Sequence, residues 1–349
     1  MRLKDVADNA GVSMATASRI LKDDESFSVS PDTIKRVKNC ASNLGYIRKV
    51  QKKNLNQSAS FKSLGIVVTK TRAQDEDNYF TNIIRGIEKE AIANHFKIAF
   101  NYAASDFSKT GPMETVLNSK ADGLILIGFI PPSLFTNLSR SFRNVISVFE
   151  IPENCTTVDC VTVEYELPFY MLTKKLISCG RKNIAFIGGD TYKTPVEGEE
   201  MSLFQSRDER FQGYLKGLID SGIQIRRDLI HDGHWNIDIA YEKMKQILDS
   251  KIPVDAVEAA SDKMAFGAMK AIRERGLSIP EDVSVIGFDN IDMASYSSPS
   301  LTTVSFDRDE LGREAFFCLL NLVNDKRKAI GRKTILPTYI IERDSICSF

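Results

Sequence analysis

The first 22 residues constrain this chain more than any other stretch. Leu3, Val6, Ala7 and Ala10 fall on one helical face, and Ala10-Gly11-Val12 breaks the pattern. Glycine takes the left-handed backbone that a sharp helix–helix turn needs. Ser13 then stands in an N-cap position ahead of a second short helix, whose inward residues are Ala17, Ile20 and Leu21. The outward face is Met14, Ala15, Thr16, Ser18 and Arg19. An ordinary αα-hairpin would simply present a solvated face here. Small hydroxyls that meet phosphates, beside an arginine that can fork onto a guanine edge, also suit a helix lying in the major groove of DNA. A third helix begins at Ser30-Pro31-Asp32, an N-cap followed by a first-turn proline. Ile34, Val37, Cys40, Ala41 and Leu44 face inward, and Gly45 stops it. Residues 1–46 thus read as a small all-α helix-turn-helix headpiece.

Charge is unevenly placed. The chain is neutral overall, with 46 basic and 46 acidic residues among 349. Residues 1–62 hold 12 Lys and Arg against 6 Asp and Glu, a head of +6 on a body of −6. That layout suits a small nucleic-acid-binding module attached to something else. Residues 47–62 are polar and basic without a core face, which reads as a linker.

From Ser63 the texture changes. Leu64–Val68, Lys97–Phe100, Gly123–Ile127 and Asn144–Val148 read as buried strands, with Ile83, Ile84, Ile87 and Ala91 as a helical stripe between the first two. After about residue 160 the rhythm restarts, with a helix from Pro168 to Cys179 and strands near Asn183–Ile187, Ala256–Ala259 and Ser284–Gly287. Two successive βα series predict an α/β body of two parallel sheets. Ligands of such sheets bind beyond the carboxyl ends of the strands.

Several blocks together carry a family resemblance. Leu3-Lys4-Asp5-Val6-Ala7, Ala10-Gly11-Val12-Ser13, Thr16-Ala17-Ser18-Arg19-Ile20-Leu21, Val29-Ser30-Pro31-Asp32-Thr33 and Leu44-Gly45-Tyr46 resemble the start of LacI/GalR-type bacterial transcription regulators. The likeness returns at Arg210-Phe211-Gln212-Gly213-Tyr214 and Ser261-Asp262-Lys263-Met264-Ala265-Phe266-Gly267. It is strongest at Ile286-Gly287-Phe288-Asp289-Asn290 and Pro299-Ser300-Leu301-Thr302-Thr303-Val304. The blocks keep the family's order over nearly the whole chain.

The resemblance implies a body of the two-lobed periplasmic-binding-protein type over 63–349, binding effector and dimerising. The chain would cross between lobes near 160, 290 and 320. The N-lobe would then span about 63–160 and 291–320, and the C-lobe about 161–290 and 321–349. It implies base reading by Met14, Ala15 and Arg19 and phosphate contact by Thr16 and Ser18. Met14 and Ala15 offer only apolar contact, suited to thymine methyls. The family's linker folds into a hinge helix whose leucine wedges into the minor groove. Leu55 occupies that place. Arg48 stands where a proline is common and Lys52 where a small residue packs helix on helix, so a basic linker tracking phosphates is the alternative.

For the effector, the resemblance implies Arg210 and Asp289 as ligands, Ser261 where an asparagine is common, and Tyr79 with Phe80 as the N-lobe wall. A guanidinium only donates and a carboxylate only accepts, so the pair can grip vicinal hydroxyls from both sides. Trp235, the sole tryptophan, lies in a loop-like stretch and either stacks on a sugar ring or packs at the core's rim. The other readings are a strand-end turn residue for Asp289 and a structural ion-pair partner for Arg210, and the resemblance favours binding for both. Leu311 to Val323 carries apolar residues at helical spacing, for lobe core or subunit interface.

Enzyme chemistry finds little support. No phosphate-cradling glycine loop or serine nucleophile elbow is present. The three histidines are 95, 231 and 234, and His231-x-x-His234 is at most half a metal site. The reading needs no cofactor and no metal. The six cysteines form no Cys-x-x-Cys pair, and neither a signal peptide nor a membrane-length apolar run is seen. The expectation is therefore a cytoplasmic homodimeric repressor of a carbohydrate-utilisation operon. It would bind double-stranded operator DNA and be released by a small sugar such as galactose or a galactoside. A purine, a phosphorylated sugar or a protein co-effector is the alternative, and an enzyme on an α/β fold stands further off.

Overall fold

The computed structural model describes residues 3–21, 29–43, 62–69, 78–108, 111–152, 155, 157–189, 208–325 and 329–347. The chain divides into two compact units, 1–60 and 61–349.

In the first unit, helices α1 (Leu3–Ala10), α2 (Met14–Ile20) and α3 (Pro31–Asn43) pack through Val6, Ala7, Ala10, Ala17, Ile20, Val37 and Ala41. These are the inward positions that the 3.6-residue period marks. Gly11 makes the turn at φ +63°. Ser13 caps α2, its Oγ accepting the Thr16 N–H at 3.1 Å. Arg36 on α3 donates from Nε to the Ala10 carbonyl at 2.9 Å, which satisfies an otherwise open end of α1. Leu44, Gly45 and the 47–61 linker, with Leu55, lie outside the described residues.

The second unit is built from β1 (Lys62–Val68), α4 (Asn78–Ala93), β2 (Phe96–Ala103), α5 (Pro112–Asn118), β3 (Gly123–Ile127), α6 (Pro132–Ser141), β4 (Val145–Val148) and β5 (Asp159–Val163). Then follow α7 (Glu166–Ser178), β6 (Ile184–Gly188), α8 (Glu209–Ile219), β7 (Ile230–Asp232), α9 (Ile237–Asp249), β8 (Ala256–Ala259), α10 (Asp262–Glu274) and β9 (Ser284–Phe288). The chain continues through α11 (Met293–Tyr296), β10 (Thr302–Ser305), α12 (Arg308–Asp325), β11 (Lys333–Leu336) and β12 (Tyr339–Ile341).

Two six-stranded sheets result, in the orders β11-β5-β4-β3-β1-β2 and β12-β10-β9-β8-β6-β7. All pairings are parallel except β10 with β12. Each sheet reverses its strand order once, between β1 and β3 and between β6 and β8. In doubly wound sheets the crevice beyond such a switch point is where ligands bind.

The lobes exchange chain at 164–165, at 306–307 and at 337–338. The first crossing lies close to the expected position, but the other two fall later than the expected 290 and 320, the second after α11 and β10 and the third after β11. Thr302–Ser305 forms β10 on the C-lobe sheet, with Thr302, Thr303 and Val304 fully buried, while α12 and β11 belong to the N-lobe. Residues 291–305 therefore belong to the C-lobe, and 321–325 and 329–336 to the N-lobe. A four-residue strand with two threonines has no period that would betray it. Leu311, Ala315, Phe316, Leu319 and Leu322 are buried in the N-lobe core against α4, which settles the helical stretch as core. Among the described residues no helix is long and apolar enough to cross a membrane.

Candidate functional site

The headpiece face is what the three-helix core leaves outside. Met14, Ala15 and Arg19 are exposed on α2, Thr16 and Ser18 are half-buried, and Ala17 and Ile20 point inward. The Thr16 hydroxyl lies 2.9 Å from Ser13 Oγ, so capping partly orients it. A thioether, a methyl and a guanidinium on one exposed helical face can make apolar and bidentate contacts to base edges.

The second site gathers at the carboxyl ends of the strands. Arg210 stands in the first turn of α8, capped by Asp208. Its Nε donates to Asp208 Oδ1 at 2.7 Å, and both side chains are nearly buried. Its Nη1 donates to the Ala260 carbonyl at 3.2 Å, just past β8 at the switch point. Its Cζ lies 4.6 Å from the Trp235 ring centroid, 4.8 Å from Tyr165 and 5.4 Å from Phe288. Burial works against the charge, but Asp208 more than offsets it and holds Arg210 above the ordinary arginine range. Arg210 is thus an ion-pair partner and a cleft residue at once.

Trp235 lies in the loop between β7 and α9, where His234 and Trp235 both take positive φ, +50° and +53°. The indole rests on Gly189 after β6, where any Cβ would collide with the ring. Trp235 is partly buried and lies beside Arg210. Ser261 is buried, and its Oγ caps α10 by accepting the Met264 N–H at 3.3 Å. That hydroxyl is committed to the helix, which explains a serine there without reference to any ligand.

Asp289 follows β9 with φ +109°, and Asn290 with φ +48°. Non-glycine residues rarely take such values, and they cluster where surroundings hold a loop in a strained shape. Asp289 donates its N–H to the Val304 carbonyl at 2.9 Å. Its carboxylate is close enough to reinforce the charge on Arg210.

The N-lobe wall is aromatic. Tyr79 and Phe80 on α4 meet edge to face at 4.9 Å, and Tyr79 lies 6.1 Å from both Phe149 and Phe306. Burial and then Asp289 push the Tyr79 hydroxyl well above the usual phenol range. Arg308, the first residue of α12, places its Cζ 5.0 Å from the Tyr79 ring and 5.2 Å from Phe306. Its Nη2 also donates to the Asp289 carbonyl, so an N-lobe side chain touches the C-lobe loop.

All six sequence-marked residues therefore lie near the interlobe crevice, though Ser261 serves its helix. The sequence reading missed Phe149, Tyr165, Phe306 and Arg308. Phe149 sits at φ +80° after β4, and Tyr165 and Phe306 lie on or beside the crossings. The run Thr303-Val304 was a marker, and Phe306 and Arg308 follow it directly.

A helical headpiece with an outward reading face, and a two-lobed body whose sheets each carry a switch point, define a ligand-responsive DNA-binding regulator. Residues 2–49 match bacterial regulatory proteins of the lacI family, and residues 173–346 match the periplasmic binding protein-like domain. The chain is 32% identical to the HTH-type transcriptional repressor CytR of Escherichia coli (strain K12), over 95% of this chain and 92% of that protein. It is 29% identical to the HTH-type transcriptional repressor MelR of Bacillus subtilis (strain 168), over 99% of this chain and 97% of that protein. A solved transcriptional regulator CelR–cellobiose complex superposes with a TM-score of 0.68 at 24% identity, covering 99% of each chain. The chain belongs to the LacI family of bacterial regulatory proteins. It is a DNA-binding transcriptional repressor with an effector-binding body, and not an enzyme.

Proposed function

We propose that this repressor acts as a cytoplasmic homodimer on a pseudo-palindromic operator and is released by a small sugar, with galactose or a galactoside as the first candidates. The observation that carries this reading is the Arg210–Trp235–Asp289 constellation at the switch point. One group donates, one accepts, and an indole lies alongside, which is what a polyhydroxylated ring requires. The fold's likeness to a regulator solved with cellobiose supports the same class. Met14, Ala15 and Arg19 read bases, with Thr16 and Ser18 on phosphates, and Leu55 as a minor-groove wedge. Effector binding closes the lobes and weakens operator affinity by about 1–3 kcal/mol, the usual scale of such coupling.

For the dimer seam, α11 offers Met293 and Tyr296 one turn apart, 59% and 84% exposed. Large apolar residues so exposed on one helix mark contact surfaces. A two-fold dimer would set the half-site spacing.

A purine or nucleoside effector is the second reading. Tyr79, Phe80, Phe149 and Phe306 make a wall of rings against which a planar base could stack. Trp235 is the only tryptophan, so its fluorescence reports the crevice alone. Titration with mono- and disaccharides, purines and nucleosides, paired with operator binding at stated salt, tests both readings. A sugar that shifts Trp235 emission and releases operator supports the first. Response to a base or nucleoside alone overturns it.

A further inference from the structure

The cleft's separate parts converge on three residues at the start of α10. Ala260 accepts Arg210 Nη1 through its carbonyl. Ser261 caps the helix by accepting the Met264 N–H. Asp262 is fully buried, and its carboxylate is not needed for that cap. Both its oxygens reach instead to other elements. Oδ2 accepts the Ile291 N–H at 2.8 Å, and Oδ1 pairs with the Thr303 hydroxyl on β10. Thr303 Oγ1 in turn accepts the Asn290 N–H at 3.3 Å. Asn290 is held from its other side, where Oδ1 accepts Arg343 Nη2 at 2.7 Å.

The loop thus gripped is 289–291, whose first two residues have the left-handed backbone noted above. A strained conformation persists only where its surroundings over-determine it. An acid buried for packing alone would find partners within its own helix or strand. This one bridges α10 to a loop and a strand 29 and 41 residues away.

We propose that Asp262 is the positioning residue of the effector crevice: with Thr303 it holds the Asp289 loop, while its neighbour Ala260 holds Arg210, so that one short turn sets the distance between the two. The functional part of this inference rests on reading Arg210 and Asp289 as effector ligands. The structural part does not.

Burial, reinforced by Asp289, raises the Asp262 carboxyl to about 8, with Thr303, the Ile291 N–H and Arg308 opposing the shift. The grip survives in either charge state. A protonated Asp262 can donate to Thr303 Oγ1 while still accepting from Ile291. Asparagine reproduces that neutral arrangement, since its amide donates to one partner and accepts from the other.

The test is amide hydrogen exchange of the full chain without any effector, resolved over 289–291 and compared with β8. In Asp262→Ala, exchange at Asn290 and Ile291 is expected to rise at least about tenfold, as loss of local hydrogen bonds lowers the cost of opening. β8 should keep its protection, and Asp262→Asn should return the loop to within about twofold of wild type. Unchanged loop exchange in the alanine variant, or faster exchange spread evenly through the C-lobe, overturns the proposal. If Asp262→Ala does not fold, Thr303→Val removes one strut isosterically and should speed exchange at Asn290. No change there also overturns it. None of these readouts involves an effector, so failure of the sugar reading would be seen separately.

Discussion

In α2 the residues proposed to read DNA are those the core leaves out, while in the crevice the proposed ligands are drawn in and bonded to their surroundings. Met14, Ala15 and Arg19 are exposed, and the helix that carries them needs only a turn, a cap and two buried residues. Arg210 is nearly buried, holds Asp208 and Ala260, and lies against three rings from three separate stretches of chain. The reading face is made by local periodicity. The crevice is made by long-range convergence and held against strain. A change on the first should therefore alter function and leave the fold intact, whereas a change in the second should disturb both.

The strongest break in that comparison is Arg210→Ala. Removing one partner of a buried ion pair costs about 3–5 kcal/mol, because the other charge stays uncompensated. The variant should melt well below wild type and lose any effector-dependent shift in Trp235 emission, while operator binding at low temperature persists. Normal stability with normal effector response would show that Asp208 and Arg210 contribute nothing beyond proximity. Arg19→Ala makes the opposite cut. Specific operator binding should weaken by about 1–3 kcal/mol, with binding to random DNA lowered only as far as one lost cation requires. Its melting curve and effector response should match wild type. Equal losses on operator and random DNA would remove Arg19 as a base reader.

The same contrast explains what could be read in the sequence. The headpiece core was legible residue by residue, because Val6, Ala7, Ala10, Ala17, Ile20 and Val37 follow one period. So was the buried stripe Ile83, Ile84, Ile87 and Ala91 on α4. Short strands were not. β7 and β12 have three residues each, none fully buried, and β10 has four, so no period can form. Missing β10 displaced the second crossing and missing β11 the third. Around the proposed crevice, Arg210 and Asp289 were marked through motifs, but Phe149, Tyr165, Phe306 and Arg308 gain their place only when the lobes meet. Nothing in the neighbours of Phe149 says that Tyr79 will lie beside it.

A buried acid within a strand, rather than on a loop, sharpens the comparison. Glu258 on β8 has no exposure, and its Oε1 accepts the Thr173 hydroxyl at 2.8 Å. Burial raises its carboxyl from 4.5 to about 8, and the Thr173 bond opposes this only in part. The folded chain therefore holds this proton more tightly than the unfolded one. Its stabilising contribution is complete below about pH 4.5 and is lost as pH rises towards 8. Glu258→Gln should match wild type in melting temperature at pH 5 and exceed it at pH 9. Each kcal/mol recovered corresponds to roughly 2–4 °C for a domain of this size. An offset of equal size at both pH values would show that the acid is ionised in the folded protein throughout.

The smallest expected effect falls on the reading helix itself. Ser13 accepts the Thr16 N–H and contacts the Thr16 hydroxyl, so a single side chain both starts α2 and orients one of its outward groups. Ser13→Ala should cost the headpiece about 1 kcal/mol, the usual loss for an N-cap serine. The second unit has its own core, so its melting should not move. The useful measurement is operator affinity against temperature. If the cap acts only on helix stability, wild type and variant should converge when the headpiece is fully folded in the cold. A deficit that persists in the cold, and that Thr16→Ala reproduces without adding to it, would assign the loss to the Thr16 hydroxyl on DNA. The face of α2 would then be less local than its periodicity implies, and the contrast with the crevice correspondingly weaker.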